Sequence, residues 1–133
     1  MSQDTNSKIF KYNDVEIEFD LSDADILEKY ENIFDEMGEK EKKLPKTGKQ
    51  SEIIRAQYNW FVEVFDKLLG EGIGKKVCGE KCSVANCYDA YEYFLSFVAN
   101  QKLALTNRAL SISNSYSNRA QRRASAKSKK KNG

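Results

Sequence analysis

The stretch LLGEGIGKKVCGEKCSVANCYDAYEYF, residues 68–94, holds four of the chain's seven glycines, two adjacent lysines and all three cysteines. Its reading decides the fold. A phosphate cradle implies a nucleotide-binding α/β domain, a metal site implies a small metal-stabilised domain, and a plain joint implies packed helices. A phosphate-binding loop needs G-x-x-x-x-G-K-[ST], so that backbone N–H groups surround the phosphates and a hydroxyl holds magnesium. Gly74 and Lys75 supply the G-K pair, but Leu69 stands at the first glycine position and Lys76 at the hydroxyl position. The dinucleotide pattern G-x-G-x-x-G fails too, since Gly70 and Gly72 are followed by Lys75. Cys78, Cys82 and Cys87 are spaced C-x3-C-x4-C, one ligand short of a tetrahedral zinc site. Asp89 or Glu80 would have to complete it, or two chains would have to share the ion. Taking Cys87 as a small apolar core residue and Cys78 and Cys82 as loop thiols needs no missing ligand. The stretch therefore reads as a joint between two helices, with no cofactor and no metal.

Working outward, the helix before the joint runs from about Ser51 to Leu69. Ile54, Tyr58, Phe61, Phe65 and Leu68 form its apolar stripe, widened by Ile53, Trp60, Val62, Val64 and Leu69, and Gly70 ends it. The helix after the joint begins at Ser83, a good N-cap, and carries Val84, Tyr88, Tyr91, Leu95 and Val98 past Leu103, with Cys87, Phe94 and Phe97 alongside. An earlier helix starts near Ser22, where Asp23 and Asp25 meet the positive end of its dipole. It carries Ile26, Tyr30, Ile33, Phe34 and Met37 on one face and fades into GEKEKKLPKTGK, a linker punctuated by Gly38, Pro45 and Gly48. DLSDADILEKYE has the acidic density of a calcium loop without its ligand spacing or central glycine, so it reads as that helix start.

Residues 8–20, KIFKYNDVEIEFD, alternate apolar and polar side chains, with Ile9, Val15, Ile17 and Phe19 apolar around a tight turn at Asn13-Asp14. A lone hairpin is marginal in water, so this one packs on the helices. From Ser111 onward only Ile112 and Tyr116 offer substantial apolar surface, too little to offset the entropy of ordering the segment. The expected fold class is mainly α: a short N-terminal β-hairpin, a three-helix bundle-like domain over residues 8–110, and a disordered basic tail over residues 111–133.

At 133 residues one domain core is expected. No apolar run approaches the ~20 residues that cross a bilayer, and MSQDTNSK lacks the order of a secretory signal. With three cysteines, an odd number, the chain reads as a reduced intracellular protein with free thiols. The absence of histidine removes the commonest general base near neutral pH, and no nucleophile, base and orienting acid fall into a recognisable arrangement, so no catalytic residue is assigned.

Charge is divided along the chain. Residues 1–100 carry 13 Lys/Arg and 20 Asp/Glu, net −7, whereas residues 101–133 carry 9 and none, net +9. A basic tail on an acidic body suits self-association, an acidic partner or a nucleic-acid backbone. Arg119, Arg122 and Arg123 are candidates to contact carboxylates on a partner through the guanidinium fork. Only Tyr116 could stack on a base, so a phosphate-backbone binder is the alternative reading and a sequence-specific one is not.

The order of three segments carries a resemblance: VEIEFDLSDADILEKYE, then FDKLLGEGIGKKVCGEKCSVANCYDAYEYF, then NRAQRR. Over roughly residues 8–123 the chain resembles a family of small proteins from tail-gene clusters of long-tailed phages and prophages of Gram-positive bacteria, regarded as tail assembly chaperones. That resemblance implies a nonenzymatic function in the host cytoplasm. Such a protein binds the helical tape-measure protein, keeps it soluble while tail-tube subunits are recruited, and is absent from the finished virion. Its amphipathic helices would cover apolar helix faces of the client. Tyr58, Trp60, Phe61, Tyr88, Tyr91 and Phe94 are the candidates to supply that surface, because large aromatics contribute much contact area; the alternative reading of the same residues is core, the commoner use of an aromatic face at helical spacing. Cys78 departs from the family pattern, standing where an aromatic or other apolar residue is expected.

Overall fold

A computed structural model describes residues 8–132, and the side chains of residues 8–123. The chain is mainly helical behind a short N-terminal hairpin. Strands β1 (Ile9–Tyr12) and β2 (Val15–Glu18) are followed by α1 (Ala24–Lys42), α2 (Gln50–Leu69), a short α3 (Ile73–Cys78) and α4 (Val84–Asn132). Two units divide between Gln101 and Lys102, so α4 contributes to both, and the first unit holds the core.

The hairpin follows from its two-residue turn. Asn13 and Asp14 have φ of 46° and 64°, the left-handed pair that the favoured hairpin turn requires and that these two residue types tolerate. The register pairs Tyr12 with Val15 and Phe10 with Ile17, so Phe10 and Val15 enter the core. Ile9 is corrected: it lies one position out of phase with Phe10 and Tyr12 and faces outward. The Asn13 side-chain amide donates to the Val77 carbonyl at 3.0 Å, tying the turn to α3.

Beyond β2 the backbone is clamped by a buried glutamine. The Leu21 N–H donates to Gln101 Oε1 at 2.8 Å, and Gln101 Nε2 donates to the Phe19 carbonyl at 2.6 Å. Phe19, Leu21 and Gln101 are all buried, so no solvent replaces these bonds. Gln101→Leu is expected to cost about 1–3 kcal/mol for each orphaned backbone group, read as a lower urea midpoint at unchanged slope.

α1 begins one residue later than the sequence suggests. Ser22 gives its N–H and hydroxyl to Asp20, and Asp23 becomes the N-cap, its carboxylate accepting from the Asp25 N–H at 2.9 Å. α1 then runs through Gly38 to Lys42, into the stretch assigned to the linker. Two features extend it: the Lys42–Glu39 pair on its surface, and the Trp60 indole, which donates to the Met37 carbonyl at 2.8 Å. The linker proper is residues 43–49.

The core is aromatic. Phe94 of α4 meets Phe10 and Phe19 from the hairpin side, Tyr30 of α1 and Phe65 of α2, with ring centroids 5.5 to 6.3 Å apart. Val64, Val77, Cys87 and Ala90 close the space around it without exposure. In the second unit α4 is helical through Asn132. Ala, Arg, Gln and Lys are strong helix formers, and extending an existing helix avoids the cost of nucleation. Every side chain from Leu105 to Arg123 is exposed. Residue 133 and the side chains of 124–132 lie outside the described set.

Candidate partner-binding surface

Four of the six aromatic candidates, Trp60, Phe61, Tyr88 and Tyr91, pack together, but not as a free surface. Trp60 and Phe61 of α2 pack edge to face with Tyr91, and Phe61 meets Tyr88 at 5.7 Å. Tyr58, Phe61 and Phe94 are buried, and Tyr58 spends its hydroxyl on the Gly79 carbonyl at 2.6 Å. Trp60 and Tyr91 are half-buried, and burial raises the Tyr91 phenol above its ordinary pKa. Tyr88 alone of the six is exposed, at 47%. Half of the candidate set therefore builds the core.

Exposed apolar surface lies elsewhere. Among the described residues nine large hydrophobic residues are exposed, and all but Ile9 belong to α4: Tyr88, Tyr93 and Leu95 in the first unit, and Leu103, Leu105, Leu110, Ile112 and Tyr116 in the second. Arg119, Arg122 and Arg123 are exposed in the second unit, with no carboxylate in the same unit. Sequence reasoning misses the second-unit residues because the polar composition beginning at Ser111 hides a helical spacing, Leu105-Ala109-Ile112-Tyr116, that runs through that boundary.

The profile of a family of unknown function (DUF6673) matches residues 13–126, most of the chain. The chain belongs to that family. Searches of curated proteins and of solved structures returned no match. The DUF6673 match takes in the joint, α2 and most of α4, so the features that follow fall inside the family's own span.

In this DUF6673 chain the glycine-rich stretch forms a joint that contains α3, a helix too short for the sequence to reveal. Gly70 and Gly72 bracket the turn with φ of 130° and 87°, values that L side chains rarely adopt. The Gly74 N–H donates to Asp66 Oδ1 at 2.6 Å, fastening α3 to α2. The cysteines are corrected in part. Cys82 is an exposed thiol, but Cys78 closes α3 inside the core beside Cys87. That position is apolar in its surroundings, which is why an apolar residue suits it. The hydrogen bond with Cys87, together with burial, pushes the Cys78 thiol up. Titration with an aromatic disulfide reagent is expected to show one fast thiol, Cys82, and two that react only as the core opens. Three fast thiols would contradict this packing.

α1 of the first unit presents an acidic surface. A cleft is lined by Asp25, Glu28, Lys29, Asn32, Ile33 and Glu36 of α1 and by Lys67 of α2. Lys67 is engaged by Glu36 and Glu63, and Lys40 pairs with Glu63. Hydrogen bonds from Lys67 and Lys40 hold the Glu36 and Glu63 carboxyls, respectively, below the usual range. Their stabilisation is present at neutral pH and fades as pH falls through the lowered pKa values. Solvent keeps it small. Among the described residues no group of three or more His, Cys, Asp or Glu side chains could hold a metal ion, and no helix is long and apolar enough to cross a membrane.

Proposed function

We propose that this protein is a phage tail assembly chaperone, a holding factor that covers apolar helix faces of the tape-measure protein in the host cytoplasm while tail-tube subunits are recruited. The observation that carries the reading is the concentration of exposed large apolar side chains on one helix, α4. Isolated exposed residues need no explanation, but Leu103 and Leu110, seven residues apart and so on one face of α4 in the second unit, are suited to lie against another amphipathic helix. The resemblance of the EFDLSDAD, GEGIGKKVCG and NRAQRR segments supplies the client's identity. In the first unit, Tyr88 is a separate aromatic candidate, packed on Phe61. Tyr58, Phe61 and Phe94 support it from within.

The test is co-expression with the tape-measure protein of the same gene cluster. The expected result is that the client stays soluble with this chain and aggregates without it, and that Leu103→Ser with Leu110→Ser lowers the soluble yield several-fold while the fold persists. A client equally soluble alone, or a gene neighbourhood with no long helical reading frame, overturns the proposal. The nucleic-acid alternative rests on the exposed Arg119, Arg122 and Arg123. It predicts binding to mixed-sequence DNA that falls steeply with salt and disappears on removal of residues 117–133.

A further inference from the structure

We infer that the second unit of one copy docks on α1 of another, so that copies of this chain join head to tail. Leu105, Ala109, Ile112 and Tyr116 follow one another by four, three and four residues, which places them on one face of α4, and all four are exposed. Arg108 and Arg119 border this stripe, and no acidic residue occurs anywhere in residues 101–133. Two such helices laid together would oppose like charges. The stripe therefore requires an acidic seat, and every carboxylate side chain of this molecule lies in residues 1–100.

Within that body α1 offers the matching feature. Between Asp23 and Glu36 it carries six carboxylates against one lysine, Lys29. The cleft described above runs along this face from Asp25 to Glu36; Lys29 and Lys67 also line it, Lys67 being paired with Glu36 and Glu63, which leaves Asp25 and Glu28 as its carboxylates outside that network. Asp25 to Glu36 and Leu105 to Tyr116 are the same number of residues apart, each about 16 Å of helix at 1.5 Å per residue. Length and charge agree. The stripe is roughly a third of a turn around the helix from Leu103 and Leu110, which stay available to a client. A contact between two different surfaces leaves one of each free, so copies extend as an open chain or close as a ring. This inference does not depend on the identity of the client.

Sedimentation of the purified full-length chain tests it without any client. Wild type is expected to exceed the monomer mass of 15.2 kDa at low salt and to fall to it at high salt. Arg108→Ala with Arg119→Ala is expected to abolish assembly at low salt. Asn107→Glu with Asn114→Glu, the same change in net charge on the opposite face, is expected to retain it. Glu28→Lys with Asn32→Lys should also give monomers. Mixing the two monomeric variants should restore one junction and yield a one-to-one dimer that grows no further. Should the α1 double variant misfold, Glu28→Gln alone is expected to weaken assembly several-fold. A monomeric wild type at low salt, a mixture that forms no dimer, or assembly unaffected by the α1 variants overturns the inference.

Discussion

Phe94→Ala is expected to lower stability by about 3–5 kcal/mol, the range for deleting a buried phenylalanine that neighbours cannot collapse to replace. Phe94 has no exposure, and its ring is met edge-on by Phe10 and Phe19 from the hairpin side and by Phe65 of α2. Removing it forfeits the burial of one side chain and weakens the packing that joins hairpin, α2 and α4. Tyr88→Ala is the comparison. Tyr88 is about half exposed and touches Phe61 at its edge, so its loss is expected to cost about 1 kcal/mol or less while reducing client binding. Urea unfolding followed by the fluorescence of Trp60, the only tryptophan, separates the two cases. Equal destabilisation by both variants would mean that the aromatic cluster is not divided into core and surface as described.

That contrast shows why the fold was more legible than the site. A stripe recurring every three or four residues establishes that Tyr58, Phe61, Tyr88, Tyr91 and Phe94 lie on helix faces, but periodicity alone cannot say which face meets another helix and which meets solvent. The hairpin was readable because Asn13-Asp14 encodes its turn locally, whereas the phase of β1 was not, because Ile9 and Phe10 are both apolar and only packing on Phe94 selects Phe10. α3 was hidden by its length and by the glycines on either side. Cys78 looked like a loop thiol for the same reason, since nothing in C-x3-C-x4-C reports that α3 folds its last residue into the core. In the second unit a composition change at Ser111 masked the spacing from Leu105 to Tyr116, because low apolar content limits core formation but does not forbid a helix.

Gly74→Ala is expected to destabilise the protein by about 1–3 kcal/mol or more, as overpacking against a rigid neighbour does. A β-carbon there would lie 2.3 Å from the Val62 carbonyl oxygen and 2.8 Å from the Val62 α-carbon. Both are backbone atoms of α2, held by the helix's own hydrogen-bond ladder, so α2 cannot yield locally. α3 must retreat instead. Its retreat would stretch the bond between the Gly74 N–H and Asp66, draw Val77 and Cys78 from the core, and pull the Val77 carbonyl from Asn13 in the hairpin turn. One methyl group thus loosens three elements at once. Gly38→Ala carries the opposite sign: Gly38 sits inside α1 with nothing within 4 Å of an added β-carbon, so relief of glycine's backbone entropy is expected to add about 0.5–1 kcal/mol. Measured by urea unfolding on the same probe, the two substitutions differ only in where the methyl group lands. If Gly74→Ala proved as benign as Gly38→Ala, α3 would not be seated on α2, and the joint would lose its role in positioning the hairpin and α4.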